Sequence, residues 1–286
     1  MCTIEATWRR GAAFLAETAK ERCILVSQVL LAHVLKEDRS YLFTYPEKAL
    51  SRATEDAYFA LLARFQAGEP LEYICGGTEF YSLYFLINQH VLVPRPETEM
   101  LVEQAIAFLR QASYPTLSIL DLGTGSGVIA ISLAMRFQHA SVTAIDVSEQ
   151  ALRVARENAR RHGCDNRLTF LCSDWFSALP RTLFDCIVSN PPYLTVAEWR
   201  ALKSLHGEPP RAFMGGIDGL EAFREIAESS KNYLKQGGML LFEHGYAQAE
   251  QIRDILRQAG YCEVFSVRDF AQIERVTAAK YRPVIV

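Results

Sequence analysis

The stretch Ile119-Leu120-Asp121-Leu122-Gly123-Thr124-Gly125-Ser126-Gly127 reads as a buried strand that runs into a glycine turn. The apolar run Val128–Arg136 continues it as a helix. Glycines at 123, 125 and 127 let the chain turn tightly and let a ligand approach the main chain. A glycine turn alone is often only a strand–helix connection, but this one has a partner. Asp146 closes the next predicted strand, in Ala144-Ile145-Asp146-Val147, where a carboxylate can accept both hydroxyls of a ribose. With Val147 beside it, the pair predicts a nucleoside cofactor. The dinucleotide fingerprint would need a third glycine where Val128 stands. Asp121, just before the turn, would repel a phosphate yet suit an ammonium or sulfonium group. These residues favour S-adenosylmethionine over a dinucleotide.

Outward from this stretch, strands and helices alternate. Strands are predicted at 117–120, 142–145, 168–171, 184–189 and 239–243, with strand-like segments near 262–267 and 274–281. Helices are predicted at 128–136, 149–161, 221–234 and 247–258. Alternation at this spacing argues for a parallel sheet with helices on both faces and a ligand at the carboxyl ends of the strands. Towards the N-terminus the texture differs. Runs at 23–35 and 56–65 have the i, i+3, i+4 apolar spacing of helices, and His33 on the first is expected to pack in a core. Gly76-Gly77 breaks the chain, and the aromatic and β-branched residues of 80–93 suggest a hairpin. Pro94-Arg95-Pro96-Glu97 then suits a helix start. The expected organisation is a helical domain over residues 1–72, a hairpin linker over 73–95 and a larger domain over 96–286.

Composition limits the classes of function. The 286 residues are 50% hydrophobic and include 16 Phe, 12 Tyr and 3 Trp, which excludes a disordered chain. No apolar stretch reaches the roughly 18–20 residues that cross a bilayer. The opening MCTIEATWRR is too polar for the core of a secretory signal, so a cytoplasmic protein is expected. Net charge is −3, without the basic excess of a dedicated duplex binder. Arg153, Arg156, Arg160 and Arg161 have helical spacing and read as a solvated face. Seven cysteines without a CxxC suit free thiols rather than disulfides or a zinc site, and no metal is expected.

Two further segments carry chemistry. In Cys172-Ser173-Asp174-Trp175 the acid can accept an adenine's amine, and the indole or its backbone can lie against the ring. Phe184-Asp185-Cys186-Ile187-Val188-Ser189 is a strand that ends in Asn190-Pro191-Pro192-Tyr193. The two prolines fix φ and remove two donors, leaving carbonyls free to accept beside the amide oxygen of Asn190. Together these acceptors can hold a planar NH2 group by both hydrogens, with Tyr193 against its face. An amide nitrogen is a poor nucleophile because its lone pair is delocalised. Acceptors aimed at its hydrogens stabilise the positive charge that attack on a methyl group builds there.

These residues resemble the HemK/PrmC family, the glutamine-N5 methyltransferases of peptide chain release factors. The resemblance runs over nearly the whole chain, through Glu69–Gly76, Val91–Glu99, Asp121–Gly127, Ser173–Trp175, Val188–Tyr193 and Gly215–Leu220. It implies an α/β fold: a Rossmann-like, seven-stranded class I S-adenosylmethionine-dependent methyltransferase domain preceded by a small helical bundle. The cofactor contacts it implies fall on the Gly123–Gly127 turn, Asp146, Trp175 and Asn190, and the substrate loop on Asn190–Tyr193. Asp121, Val147 and Asp174 complete the candidate cofactor site. The implied substrate is the glutamine of the Gly-Gly-Gln loop of class I release factors, with S-adenosylhomocysteine as by-product and translation termination as the process tuned. A monomer with no direct nucleic-acid partner is expected. His244 stands where the family more often has an apolar residue, so it is not expected to act as a base; Arg95 and Thr98 are left without a role. The alternatives are a nucleic-acid exocyclic-amine methyltransferase using the same loop, and a cofactor-binding scaffold without catalysis.

Overall fold

The computed structural model describes residues 2–111, 116–202 and 205–282. Residue 1 and residues 283–286, the outer ends of the two expected domains, lie outside the described residues. The chain divides into two compact units, Met1–Gly77 and Thr78–Val286.

The first unit is helical: α1 (Ile4–Phe14), α2 (Ala16–Ala19), α3 (Cys23–Leu35), α4 (Arg39–Thr44), α5 (Arg52–Gln66) and α6 (Leu71–Cys75). Side-chain caps define two of the starts. Thr3 Oγ1 accepts from the N–H of Ala6, and Ser51 Oγ accepts from that of Thr54. The core is built around Ile4, Leu15, Leu30, Leu31, Tyr58 and Leu62, all fully buried. His33 does not join it. The buried stripe of α3 runs through Val26, Ser27, Leu30 and Leu31, which turns the His33 imidazole outward.

The second unit opens with a hairpin of β1 (Gly77–Phe80) and β2 (Leu83–Leu86). It is shorter than the apolar texture of 80–93 suggests. Tyr81 and Ser82, at φ 49° and 59°, form a two-residue turn with the positive φ at both central residues that matches the right-handed twist of paired strands. Residues 87–93 leave the sheet as irregular chain. Helix α7 (Thr98–Leu109) begins after the prolines rather than on them.

The remaining elements are β3 (Leu117–Leu122), α8 (Val128–Arg136), β4 (Ala140–Asp146), α9 (Glu149–Arg161), β5 (Leu168–Cys172), β6 (Phe184–Ser189), α10 (Val196–Ala201), α11 (Glu221–Ser230), β7 (Leu234–Glu243), α12 (Ala249–Gln258), β8 (Cys262–Arg268) and β9 (Glu274–Lys280). The seven strands from β3 to β9 form one sheet in the order β5-β4-β3-β6-β7-β9-β8. Strands β3 to β7 are parallel, and β9 runs antiparallel between β7 and β8. Strand order reverses direction between β3 and β6, which opens a crevice at their carboxyl ends. Residue 234 belongs to β7 and not to the preceding helix, which stops at Ser230. Leu234 is already paired with Phe184 at the edge of the core. The core lies between sheet and helices, with Leu120, Ile187, Phe223, Leu240 and Phe242 fully buried. On α9 two of the basic residues pair with acids: Arg156 with Glu149 at 2.6 Å and Arg160 with Glu157 at 3.5 Å.

Candidate active site

A cavity of about 450 Å³ lies at the carboxyl ends of β3 to β6. The glycine turn makes its floor. The N–H groups of Gly123 and Thr124 both donate to the Ile145 carbonyl, at 2.9 and 2.8 Å, so the turn folds across the end of β4. Gly127 sits at φ 85°, and a Cβ there would lie 2.9 Å from Ile131 Cδ1 and 3.1 Å from Ala155 Cβ. Only glycine lets α8 start this close to α9. Asp121 braces the turn from beneath. Its Oδ2 accepts from Thr124 Oγ1 at 2.7 Å and from the Ala130 N–H at 3.2 Å, while Oδ1 has no partner. Burial pushes this carboxyl up to about 7, against the pull of Thr124 and the Ala130 N–H.

The sequence-derived residues separate into two groups. Gly123, Gly125, Asp146, Val147, Asp174, Trp175, Asn190 and Pro192 line the cavity. Asp121, Thr124, Ser126, Gly127 and Pro191 are not on its wall, and Asp121, Thr124 and Ser126 are buried. Tyr193 lines a smaller neighbouring pocket. Asp146 ends β4. Its oxygens accept from the Gly125 N–H at 2.9 Å and the Ser148 N–H at 2.8 Å. A carboxylate has about four acceptor positions, so each oxygen keeps one for a ligand. Trp175 occupies the left-handed region at φ 43°, a conformation that costs a bulky residue on the order of 1–3 kcal/mol. There it lines the cavity beside Gly123.

The loop after β6 forms the other wall. Ser189 Oγ donates to the Leu122 carbonyl at 2.8 Å, tying the two strands that flank the crevice. Next to it, Asn190 borders both the large cavity and a pocket of about 20 Å³ that also holds Arg95, Tyr193 and Glu243. Among the described residues no hydrogen bond ends on the carbonyl oxygens of Asn190 or Pro191. The far end of the loop is held firmly. The Leu194 N–H donates to the Phe213 carbonyl at 2.7 Å, and the Gly215 N–H donates to that of Leu194 at 2.8 Å. A Cβ on Gly215 would lie 2.4 Å from the Pro192 oxygen, so only glycine permits this approach. Gln248 Nε2 donates to the Tyr193 carbonyl at 3.0 Å and to that of Gly219 at 3.2 Å, while its Oε1 accepts from Gly245 at 2.9 Å. Burial pushes the Tyr193 phenol up to about 12, so it is neutral at ordinary pH.

Several contributors are not among the site residues read from the sequence. His90, Val91 and Leu92 line the cavity from the irregular chain after the hairpin, and Arg211 and Met214 line it from the segment after α10. The two walls are joined through Glu208, which accepts from the Val93 N–H at 2.8 Å and from the guanidinium of Arg95. Arg95 therefore has a partner within the protein. Glu243, at the end of β7, is fully buried; burial pushes it up to about 7, opposed by hydrogen bonding from Thr98 and Asn190. His244 is buried between the Gly245 carbonyl, 2.9 Å from Nδ1, and Thr277 Oγ1, 2.8 Å from Nε2. Burial lowers its pKa, and the ring serves the packing of β7 on β9.

The residues present fit S-adenosylmethionine. The cavity lining combines apolar Ile145, Val147 and Trp175 with the backbone of Gly123 and Gly125 and the carboxylates of Asp146 and Asp174. Among the described residues no cluster of three His, Cys, Asp or Glu side chains could hold a metal, and no helix is long and apolar enough to cross a membrane.

Comparison with known proteins identifies the family. The model of the methyltransferase small domain matches residues 98–203, and that of the PrmC N-terminal domain matches residues 6–76. The release factor glutamine methyltransferase of Vibrio cholerae is 41% identical over 282 residues, 98% of this chain and 97% of that protein. That of Bordetella pertussis is 44% identical over 255 residues, 88% of this chain and 93% of that protein. A solved methyltransferase structure from Pyrococcus furiosus superposes with a TM-score of 0.52 at 19% identity, over 71% of this chain and 91% of that one, which is a likeness of fold.

Proposed function

The chain belongs to the release factor glutamine methyltransferases, and from that premise we propose that it methylates the side-chain amide nitrogen of the Gly-Gly-Gln glutamine in class I release factors. The observation that carries the reading is the position of Asn190 on the rim of the cofactor-sized cavity, with no hydrogen bond among the described residues ending on the carbonyls of Asn190 and Pro191.

S-adenosylmethionine, when bound, supplies a methyl group made electrophilic by its sulfonium. Gly123, Gly125, Asp146, Val147, Asp174 and Trp175 would hold it. The work left to the chain is to make an amide nitrogen attack. Acceptors at Asn190 Oδ1 and on the Pro191 backbone take the two N–H hydrogens, draw electron density towards nitrogen and fix its lone-pair direction. Positive charge then develops on the nitrogen where acceptors already point, with no reorganisation needed, and the cationic nitrogen, now acidic, gives up one of its two protons after the methyl has transferred. The loop resists displacement because Gln248, Phe213 and Gly215 hold its far end. The same loop chemistry would serve an exocyclic amine of a base. The acids that pair with Arg156 and Arg160 favour the protein substrate, because they leave less free positive charge for a nucleic-acid strand.

Incubating the protein with S-adenosylmethionine and unmodified release factor should add the mass of one methyl group to the peptide that carries Gly-Gly-Gln. Fragmentation should place it on the glutamine. Methylation elsewhere on the factor, or none, would overturn the assignment.

A further inference from the structure

We propose that Glu243 is a positioning residue for methyl transfer: as a carboxylate it fixes which way round the Asn190 amide sits, and so keeps the amide oxygen facing the substrate. The inference rests on the reading of Asn190 as the substrate clamp.

The placement follows from the sheet. Ser189 of β6 is in register with Phe242 of β7, so the next residues, Asn190 and Glu243, leave adjacent parallel strands side by side. Both line the same small pocket, with Tyr193 and Arg95. Glu243 is 2% exposed, and its Oε2 has no hydrogen-bond partner. Thr98, buried at the start of α7, completes the group: Asn190 Nδ2 donates to Thr98 Oγ1 at 3.4 Å, and the Thr98 and Asn190 side chains both favour the ionised form of the Glu243 carboxyl.

A side-chain amide is almost symmetric in shape, so packing alone barely distinguishes its oxygen from its nitrogen. What distinguishes them is hydrogen bonding. An ionised carboxylate only accepts, so the side of Asn190 that faces Glu243 must be the NH2. The oxygen is then turned away, towards the place where a substrate amide needs an acceptor. A protonated Glu243, or a glutamine there, could both donate and accept, and would tolerate the reversed orientation. A reversed Asn190 would point hydrogens at the hydrogens of the substrate nitrogen.

The charged and titratable groups around Glu243 are Glu97, which pushes its pKa up, Arg275, which pulls it down, and Arg95 and the Tyr193 phenol in the pocket wall. His244, next in sequence, stays neutral at ordinary pH. As pH falls through about 7 the carboxyl takes up a proton and the orienting effect is lost.

The test is steady-state methylation of release factor by wild type, Glu243→Gln, Thr98→Val, Asn190→Ala and the double variant Glu243→Gln/Asn190→Ala, with cofactor affinity measured by calorimetry. Glu243→Gln should lower kcat about 10- to 100-fold, the range expected when one buried polar partner is mispaired, with the Kd for S-adenosylmethionine unchanged. The wild-type fall in kcat below about pH 7 should be absent from Glu243→Gln. Thr98→Val should reduce kcat in the same sense, and the double variant should be no slower than Asn190→Ala. Wild-type kcat in Glu243→Gln beside a slow Asn190→Ala would overturn this inference and leave the clamp reading standing. Near-wild-type turnover in Asn190→Ala would overturn both.

Discussion

Asp121 and Glu243 are both fully enclosed, each has one carboxyl oxygen without a partner, and burial pushes each up to about 7. An unfolded chain releases such protons near pH 4, so between about 4 and 7 the folded state binds more protons than the unfolded one. Stability therefore falls as pH rises through that window, the reverse of an ion-paired carboxylate. Asp121→Asn should relieve the cofactor-free protein by a few kcal/mol at pH 8 and by much less at pH 5. Thermal or urea unfolding at the two pH values measures this, and an equal effect at both would show that the carboxyl ionises normally. At Asn190 the prediction is kinetic. Asn190→Ala should lower kcat roughly 100- to 1000-fold, by about 2.7–4 kcal/mol, as loss of one preorganised contact does elsewhere. Its Kd for S-adenosylmethionine should change only a few-fold, and a change confined to that Kd would place Asn190 in the cofactor site alone.

Among the elements, the connection from β3 to α8 is the most constrained. Gly127→Ala forces a Cβ against Ile131 and Ala155 at a left-handed φ, and should cost at least 1–2 kcal/mol in stability as well as weakening cofactor binding. Unchanged unfolding midpoints would mean the turn can relax. The strongly patterned elements were legible from the chain itself: α8, α9 and β6 begin and end where their apolar periodicity does. Glycine spacing and the Asn-Pro-Pro-Tyr segment likewise announced the two walls that flank the crevice. Other parts had no local signal. Val91 and Leu92 line the cavity rather than pair in a sheet, and the two uses look alike in sequence. Leu234 reads as the end of a helix because β7 carries a Gly237-Gly238 break before its regular apolar run. Glu243 and Gln248 matter through partners 53 and 55 residues away, which no spacing rule reveals.

At the scale of the whole molecule, each unit has its own core. The cluster of Ile4, Leu30, Leu31, Tyr58 and Ile74 belongs to the helical unit, and that of Leu120, Ile187, Phe223 and Leu240 to the sheet unit. The cavity and all its lining residues lie in the second unit, from His90 to Met214. We propose that the helical part, residues 1–72, recognises the body of the release factor away from the reacting glutamine. Removing it should raise KM for the full-length factor and leave the Kd for S-adenosylmethionine unchanged; unaltered kinetics would exclude a recognition role. The central claim is the identity of the methyl acceptor. Purified protein should be given radiolabelled S-adenosylmethionine together with unmodified release factor, the same factor with the Gly-Gly-Gln glutamine changed to alanine, duplex DNA and ribosomal RNA. Label is expected on the unmodified factor alone. Label that persists on the alanine variant, or that goes to nucleic acid, would contradict the account.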